Sequence, residues 1–246
     1  MSNEQAEGIP ESVSHYLRAA AYARAQQPQA TIRSDRGEHL TVAISREAGI
    51  DAGAYARAIG QQLGWPVWDR ELLELIAGRL GSRVSELETL DERHISWIQE
   101  SLEAFLFLHT VNQQVFVRHL SATMHELAQQ GNCIIVGRGA PHILPPWTTL
   151  KVRLVAPRDE RIASFSRQLG LADLAQAQRE MDKIDRERTR FVAEHFHKDP
   201  RDPASYDVVL NTAHFSRDEC ARLVIDFLHA FAHPREASAP RLAVSA

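Results

Sequence analysis

Five short apolar runs, separated by stretches of helix-forming composition, set the rhythm of the chain. They are Leu40–Ser45, Trp65–Asp69, Asn132–Gly137, Leu150–Val155 and Tyr206–Asn211, each rich in β-branched or aromatic residues. Helical stretches are expected over Ala54–Leu63, which Gly64 ends, and over 158–169, 173–198 and 216–232. Strand–helix alternation of this kind predicts an α/β fold with a five-stranded parallel sheet covered by helices on both faces. Such sheets bind ligands outside the carboxyl ends of their strands. That rule alone points to Ser45–Gly53, Asp69–Arg70, Gly137–Gly139 and Asn211.

The interval 71–131 breaks the alternation. Glu71–Leu80, Asp91–Leu108 and Val111–Gln130 have helical character, with Val115, Leu120, Met124 and Leu127 at three- and four-residue steps. A helical insertion covering a substrate and a block packed plainly on the sheet both fit this pattern. Residues 1–38 read as an extension in which Ser12–Gln26 is either a docking helix or a frayed tail. Residues 39–232 form the folded domain, and 233–246, rich in Pro, Ala and Ser, read as a disordered tail.

Composition narrows the classes. The 246 residues are 44% hydrophobic and 24% charged, ordinary for a globular protein, and the net charge of -4 gives no general attraction to nucleic acid or anionic membrane. Neither a nucleic-acid nor a membrane partner is expected. The chain has no apolar run of the length a membrane span requires and no signal-like N-terminus, so a cytoplasmic location is expected. Cys133 and Cys220 make no metal spacing and read as free thiols. His195 and His197 are two apart and His119 and His125 six apart, so neither makes the i,i+4 pair of a helical zinc site, and no metal site is expected.

Three constellations could carry chemistry. In Ile44-Ser45-Arg46-Glu47-Ala48-Gly49-Ile50-Asp51-Ala52-Gly53, a strand, a glycine-bearing loop and a helix start converge. Free backbone N–H groups and the helix dipole make such a turn an anion site. A phosphate-binding loop reads G-x-x-x-x-G-K-[ST]. Here Gly49 and Gly53 are one residue too close, Ala54-Tyr55 replace the Lys-Ser/Thr pair, and Asp51 adds a negative charge. In Val136-Gly137-Arg138-Gly139, glycines at a strand end let the backbone approach a ligand while Arg138 offers a planar fork to phosphate or carboxylate. A structural ion pair is the alternative for Arg138. In the charge-dense run Arg179–Phe191, Asp185 and Arg188 share one helix face and Arg186 and Arg190 another. A solvated face and an arginine-bearing lid for phosphoryl transfer both fit that run.

Taken in order, these segments resemble the cytidylate kinase-like family of P-loop nucleoside monophosphate kinases. The resemblance rests on Ile44-Ser45-Arg46-Glu47 with Gly49, Gly64–Leu73, Val136–Ala140, Lys183–Asp185 with Arg188–Phe191, Asp199–Pro203 and Tyr206–Thr212. It implies a three-layer P-loop kinase-like core, a helical substrate-domain insertion near 71–131 and a lid near 173–198. It further implies that Ser45, Arg46, Gly49 and Gly53 meet the phosphates of ATP, with Mg²⁺, if the protein is active. Asp69, Arg70 and Arg138 would face an acceptor monophosphate such as CMP, and Arg138, Asp185, Arg188 and Arg190 would act in catalysis. The resemblance covers about residues 40–230, and the glycine loop departs from the family pattern. Two functions follow: ATP-dependent phosphoryl transfer to a nucleoside monophosphate, or a catalytically inactive ligand-sensing module on the same scaffold. In either case the partner is a small-molecule nucleotide, and the oligomeric state is not written in the sequence.

Overall fold

The computed structural model describes residues 39–72, 75–76 and 113–233, together with Ile32, Ser34 and Asp35. Much of the expected insertion, including Asp91–Leu108, lies outside the described residues, as do Ser12–Gln26 and 234–246. The elements run β1 (Thr41–Arg46), α1 (Ala52–Leu63), β2 (Val67–Trp68), α2 (Gln113–Gln130), β3 (Cys133–Val136) and a short α3 (Ala140–Ile143). After these come β4 (Thr149–Val155), α4 (Arg158–Leu169), α5 (Leu174–Phe196), β5 (Val208–Asn211) and α6 (Arg217–Ala232). A 3₁₀ turn, Pro203–Ser205, precedes β5. All five expected strands are present, and every pairing is parallel, in the order β2-β3-β1-β4-β5.

Side-chain alternation along the strands builds the layers. On β1, Val42 and Ile44 face α1 and α6, joined by Ile134, Val136, Leu150, Val152 and Leu154 from the neighbouring strands. Ala43 faces the other side, where Ile135 and Cys133 pack against Phe116, Leu120, Met124 and Leu127 of α2. The small helix α3 joins that second layer through Ala140 and Leu144. A third cluster ties α4 to α5 through Phe165, Ala177, Met181 and Ile184, and reaches Ala48 in the loop after β1. Helices therefore cover both faces, as the near-continuous apolar strands require.

Helix ends follow local chemistry. Gly64 and Gly170 terminate α1 and α4 in the left-handed conformation, while Ser216 and Glu219 form a reciprocal capping box at α6. The end of the N-terminal extension is attached rather than apart. Ile32 is buried in the α1/α6 core, the backbone N–H of Asp35 and the hydroxyl of Ser34 donate to Ala232 O, and His233 lies 3.0 Å from Asp35. No helix among the described residues is long and apolar enough to cross a membrane.

Strand order and connectivity place a crevice between the carboxyl ends of β1 and β3. The chain leaving β1 runs outward to β2, whereas the chain leaving β3 crosses in the opposite direction to β4. At the opposite, amino-terminal edge of these two strands, Gly131, whose φ is +66°, joins α2 to β3. A Cβ there would collide with the backbone and Cβ of His39. Gly170 shares the left-handed backbone but has open space around it. Gly170→Ala should therefore cost about 1 kcal/mol from backbone strain alone. Gly131→Ala should cost roughly 2–4 kcal/mol, because overpacking adds to the same strain. Thermal unfolding followed by circular dichroism should show the larger fall in Tm for Gly131→Ala.

Candidate functional site

The loop leaving β1 turns at Gly49, where φ is +93° and a Cβ would stand 2.6 Å from the carbonyl oxygen of Arg161. Helix α1 then starts with Asp51 as its N-cap, and the Asp51 carboxylate accepts the N–H of Ala54 at 3.0 Å. Asp51 also lies 4.0 Å from both Arg57 and Arg217. A capping carboxylate stabilises a helix start by about 1 kcal/mol. It also occupies the place where a phosphate would meet the same dipole. Asp69, at the end of β2, comes close from the other side, since its Oδ2 lies 2.7 Å from where a Gly53 Cβ would be. As folded, this turn is a poor fit for a donor triphosphate: the Ala54 N–H is taken by Asp51, the Asp69 carboxylate stands beside Gly53, and Ala54-Tyr55 supply neither an ammonium nor an Mg²⁺-holding hydroxyl of the P-loop kind.

The segment after β3 is built differently. Gly137, Arg138 and Gly139 all have positive φ, at +73°, +52° and +78°. For Arg138, a non-glycine residue, that conformation costs on the order of 1–3 kcal/mol. Neither flanking glycine could carry a side chain: a Cβ on Gly137 would strike the Arg46 guanidinium, and one on Gly139 would strike the ring of Phe196 at the end of α5. The strained turn thus brings Arg46, Arg138 and the end of α5 together.

Helix α5 carries the charge-dense run over this turn. A cavity of about 330 Å³ opens there, walled by Ser45, Arg46 and Glu47 from the β1 exit, Gly137–Gly139 and His142 from the β3 side, and Asp185, Arg188 and Thr189 from α5. Arg153 of β4, Arg161 of α4 and Arg201 complete its polar wall. Phe116, Leu120, Ile184, Phe191 and Val192 form an apolar wall. Six arginines meet three carboxylates (Glu47, Asp185 and Glu187), so the cavity favours an anion. The Nη1 of Arg188 is out of reach of solvent. Burial, with the Arg46 and Arg138 guanidiniums alongside, pushes Arg188 down to about 9, so it still carries its charge at neutral pH.

The expected site residues separate into two groups. Ser45, Arg46, Arg138, Asp185 and Arg188 line the cavity. Gly49, Gly53, Asp69 and Arg70 stand outside its wall, although Asp69 is close enough to help hold the charge on Arg188. Arg190 points to the opposite, exposed face of α5 and pairs with Glu194 at 2.6 Å. Asp185 is engaged within the protein: Oδ1 accepts the N–H of Ala48 at 2.7 Å, and Oδ2 accepts from Arg161 Nη1 at 2.8 Å. Arg161 also donates to Ala48 O at 3.0 Å and lies 3.3 Å from Glu47.

Sequence reasoning missed Arg161, Arg153 and Tyr206. Arg153 is the one with a legible signal. It occupies an inward position on a strand whose two faces are both covered, where a charged residue is unusual. Arg161 looks like any exposed helical arginine until the helix is packed. His142, half-buried beside this cluster, is pushed down to about 4 by burial and by the nearby Lys151, Lys198 and Arg153. Among the described residues, no group of three His, Cys, Asp or Glu side chains is placed to hold a metal ion.

Comparison with known proteins agrees with this architecture. The family model described as "Cytidylate kinase-like family" matches residues 41–214. A cytidylate kinase of Methanopyrus kandleri is 23% identical over 189 residues, covering 73% of this chain and 88% of its own. Among solved structures, an uncharacterized protein from Eubacterium ventriosum superposes with a TM-score of 0.59 at 18% identity, covering 78% of this chain and 99% of its own. A shikimate kinase from Bacteroides thetaiotaomicron has a TM-score of 0.49 at 16% identity, covering 77% and 98%. The matched span runs from the first residue of β1 to just beyond β5 and takes in all five described strands, the strained arginine turn and α5. The chain belongs to the cytidylate kinase-like family.

Proposed function

We propose that this protein binds a nucleoside monophosphate such as CMP in the arginine-walled cavity and acts as its kinase. The observation that carries the reading is the convergence of Arg46, Arg138 and Arg188, from three separate elements, on one partly apolar cavity. Three guanidiniums held close together repel one another, and a phosphate dianion relieves that repulsion. The apolar wall of Phe116, Leu120 and Phe191 suits a base. On this reading Arg138 and Arg188 hold the acceptor phosphate and neutralise charge spread over its oxygens. Asp185 acts as a positioning residue, fixing the loop after β1 through the Ala48 N–H. A cytoplasmic location, with its nucleotide pool, goes with this reading.

ATP with Mg²⁺ is the donor the family implies, and the turn at Asp51 is not arranged to receive it. Phosphoryl transfer on this scaffold requires the Asp51 carboxylate to leave the start of α1. A second reading follows from the same contact: with Asp51 in place, the protein is a non-catalytic module that senses the monophosphate. A steady-state assay with ATP, Mg²⁺ and each common nucleoside monophosphate separates the two, with turnover expected for the kinase and binding alone for the module.

Titration calorimetry with CMP should show that Arg188→Met raises Kd by about 10- to 100-fold, the loss of a charge-assisted contact worth roughly 1.5–3 kcal/mol. Arg190→Ala, on the exposed face, should leave Kd within about twofold. Absence of binding by any monophosphate to the wild-type protein would remove the reading. For the donor half, Asp51→Asn keeps a capping side chain and removes the charge. It should leave Tm nearly unchanged and tighten ATP–Mg²⁺ binding by about tenfold or more, as expected from removing a like charge about 4 Å from phosphate.

A further inference from the structure

Arg153 differs from the other arginines around the cavity. It projects from β4 on the same sheet face as Ser45, its direct register partner on β1, and is only 8% exposed. Its Nη1 donates to Ser45 Oγ at 3.1 Å and to Tyr206 Oη at 3.4 Å, and its Cζ lies 5.5 Å from the centre of the Tyr206 ring. Tyr206 Oη in turn donates to Pro200 O at 2.9 Å. Every one of these partners is neutral. Among the described residues, no carboxylate stands within ion-pair distance of Arg153.

The carboxylates nearby are committed elsewhere. Asp199 is held by Arg201 through both oxygens, Asp207 accepts the backbone N–H of Lys151, and Glu47 and Asp185 serve Arg161. Lys151, Lys198 and Arg153 add positive charge here, and together with burial, the larger cause, they depress His142. Withdrawing a guanidinium from water without a counter-charge costs several kcal/mol. Hydroxyls and a ring face offset part of that, and Asp199, already held by Arg201, reaches Arg153 only from beyond ion-pair distance. Arg153 forms part of the cavity wall, so the missing negative charge can arrive from the cavity.

We propose that Arg153, supported by Ser45 and Tyr206, forms a second oxyanion subsite of the cavity and receives a phosphate group from the ligand. The inference rests on the reading of the cavity as an acceptor site and names a contact that this reading does not need. The phosphate can belong to a nucleoside monophosphate or be free inorganic phosphate, and the two sources are separable by experiment. Arg153 is a binding residue here, and Ser45 and Tyr206 position its fork.

The test is titration calorimetry of the full-length wild type and Arg153→Met with CMP, cytidine and inorganic phosphate at low salt, alongside thermal melts without ligand. The expected result is at least a tenfold rise in Kd for CMP, or for inorganic phosphate, with cytidine binding unchanged. Without ligand, Arg153→Met should melt no lower than wild type, because the variant removes a buried charge that has no ion-pair partner. CMP and phosphate Kd values within twofold of wild type overturn the proposal. So does parallel weakening of CMP and cytidine, which would mark Arg153 as a structural or base-facing residue. If Arg153→Met does not fold, Arg153→Lys keeps the charge and loses the fork; a threefold or greater selective loss for CMP supports the subsite, and no loss overturns it. Wild-type binding of CMP that ignores Arg153 leaves the acceptor reading standing without the subsite. Arg153-dependent binding of inorganic phosphate without any CMP binding does the reverse. Binding of neither to the wild type overturns both.

Discussion

The buried guanidinium of Arg161 ties together the parts of the molecule that form the site. It reaches from α4 to the Ala48 carbonyl in the loop after β1, to the Ala156 carbonyl just beyond β4, and to the carboxylates of Glu47 and Asp185. Asp185 passes the connection back to the loop through the Ala48 N–H. Two strand exits and two helices therefore share one charged node, 10% exposed at its side chain. Breaking a buried pair of this kind is far more costly than never having made it, because the remaining charge is left without compensation. Together with the apolar cluster of Phe165, Met181 and Ile184, the node fixes α5 beside the loop after β1, where the cavity lies.

Two anion-seeking places lie along the carboxyl ends of the strands, and the chain treats them in opposite ways. At the start of α1 the chain's own carboxylates stand in the way, with Asp51 on the Ala54 N–H and Asp69 beside Gly53. In the cavity beneath α5, guanidiniums outnumber carboxylates and crowd one another. Self-satisfaction stabilises the free protein and opposes a phosphate ligand. Charge crowding costs stability in the free protein and favours one. The family's kinase chemistry asks both places to take phosphate, so the contrast between them is the physical question this member poses.

The strand and helix pattern was legible because each segment's periodicity reports its own surroundings. The helix expected over 158–169 covers those residues, between Pro157 and Gly170. Boundaries elsewhere moved by one or two residues, as at β1, where the strand continues through Arg46. The four-residue helix Ala140–Ile143 and the turn at Pro203–Ser205 carry too little periodic signal to be read from sequence. Arg138 could be singled out because glycines on both sides signal an unusual backbone, and all three residues do adopt positive φ. Asp51 could be seen as a misplaced charge in the loop. Its use as an N-cap depended on where α1 begins, two residues earlier than composition suggested.

By itself, the sequence determined the layered α/β core, the strand ends to which the ligand rule points, and the helix face that Asp185 and Arg188 share. These follow from periods of two and 3.6 residues, which are properties of a single segment. Only the tertiary structure decided which arginines share a cavity. Arg188 turns inward and Arg190, two residues on, turns to solvent, while Arg161 and Arg153 arrive from helices and strands remote in sequence. A guanidinium's role depends on which carboxylates lie within a few ångströms of it, and that is a property of packing between segments. The same rule separates Asp51, which caps its own helix, from Asp185, which locks another element in place.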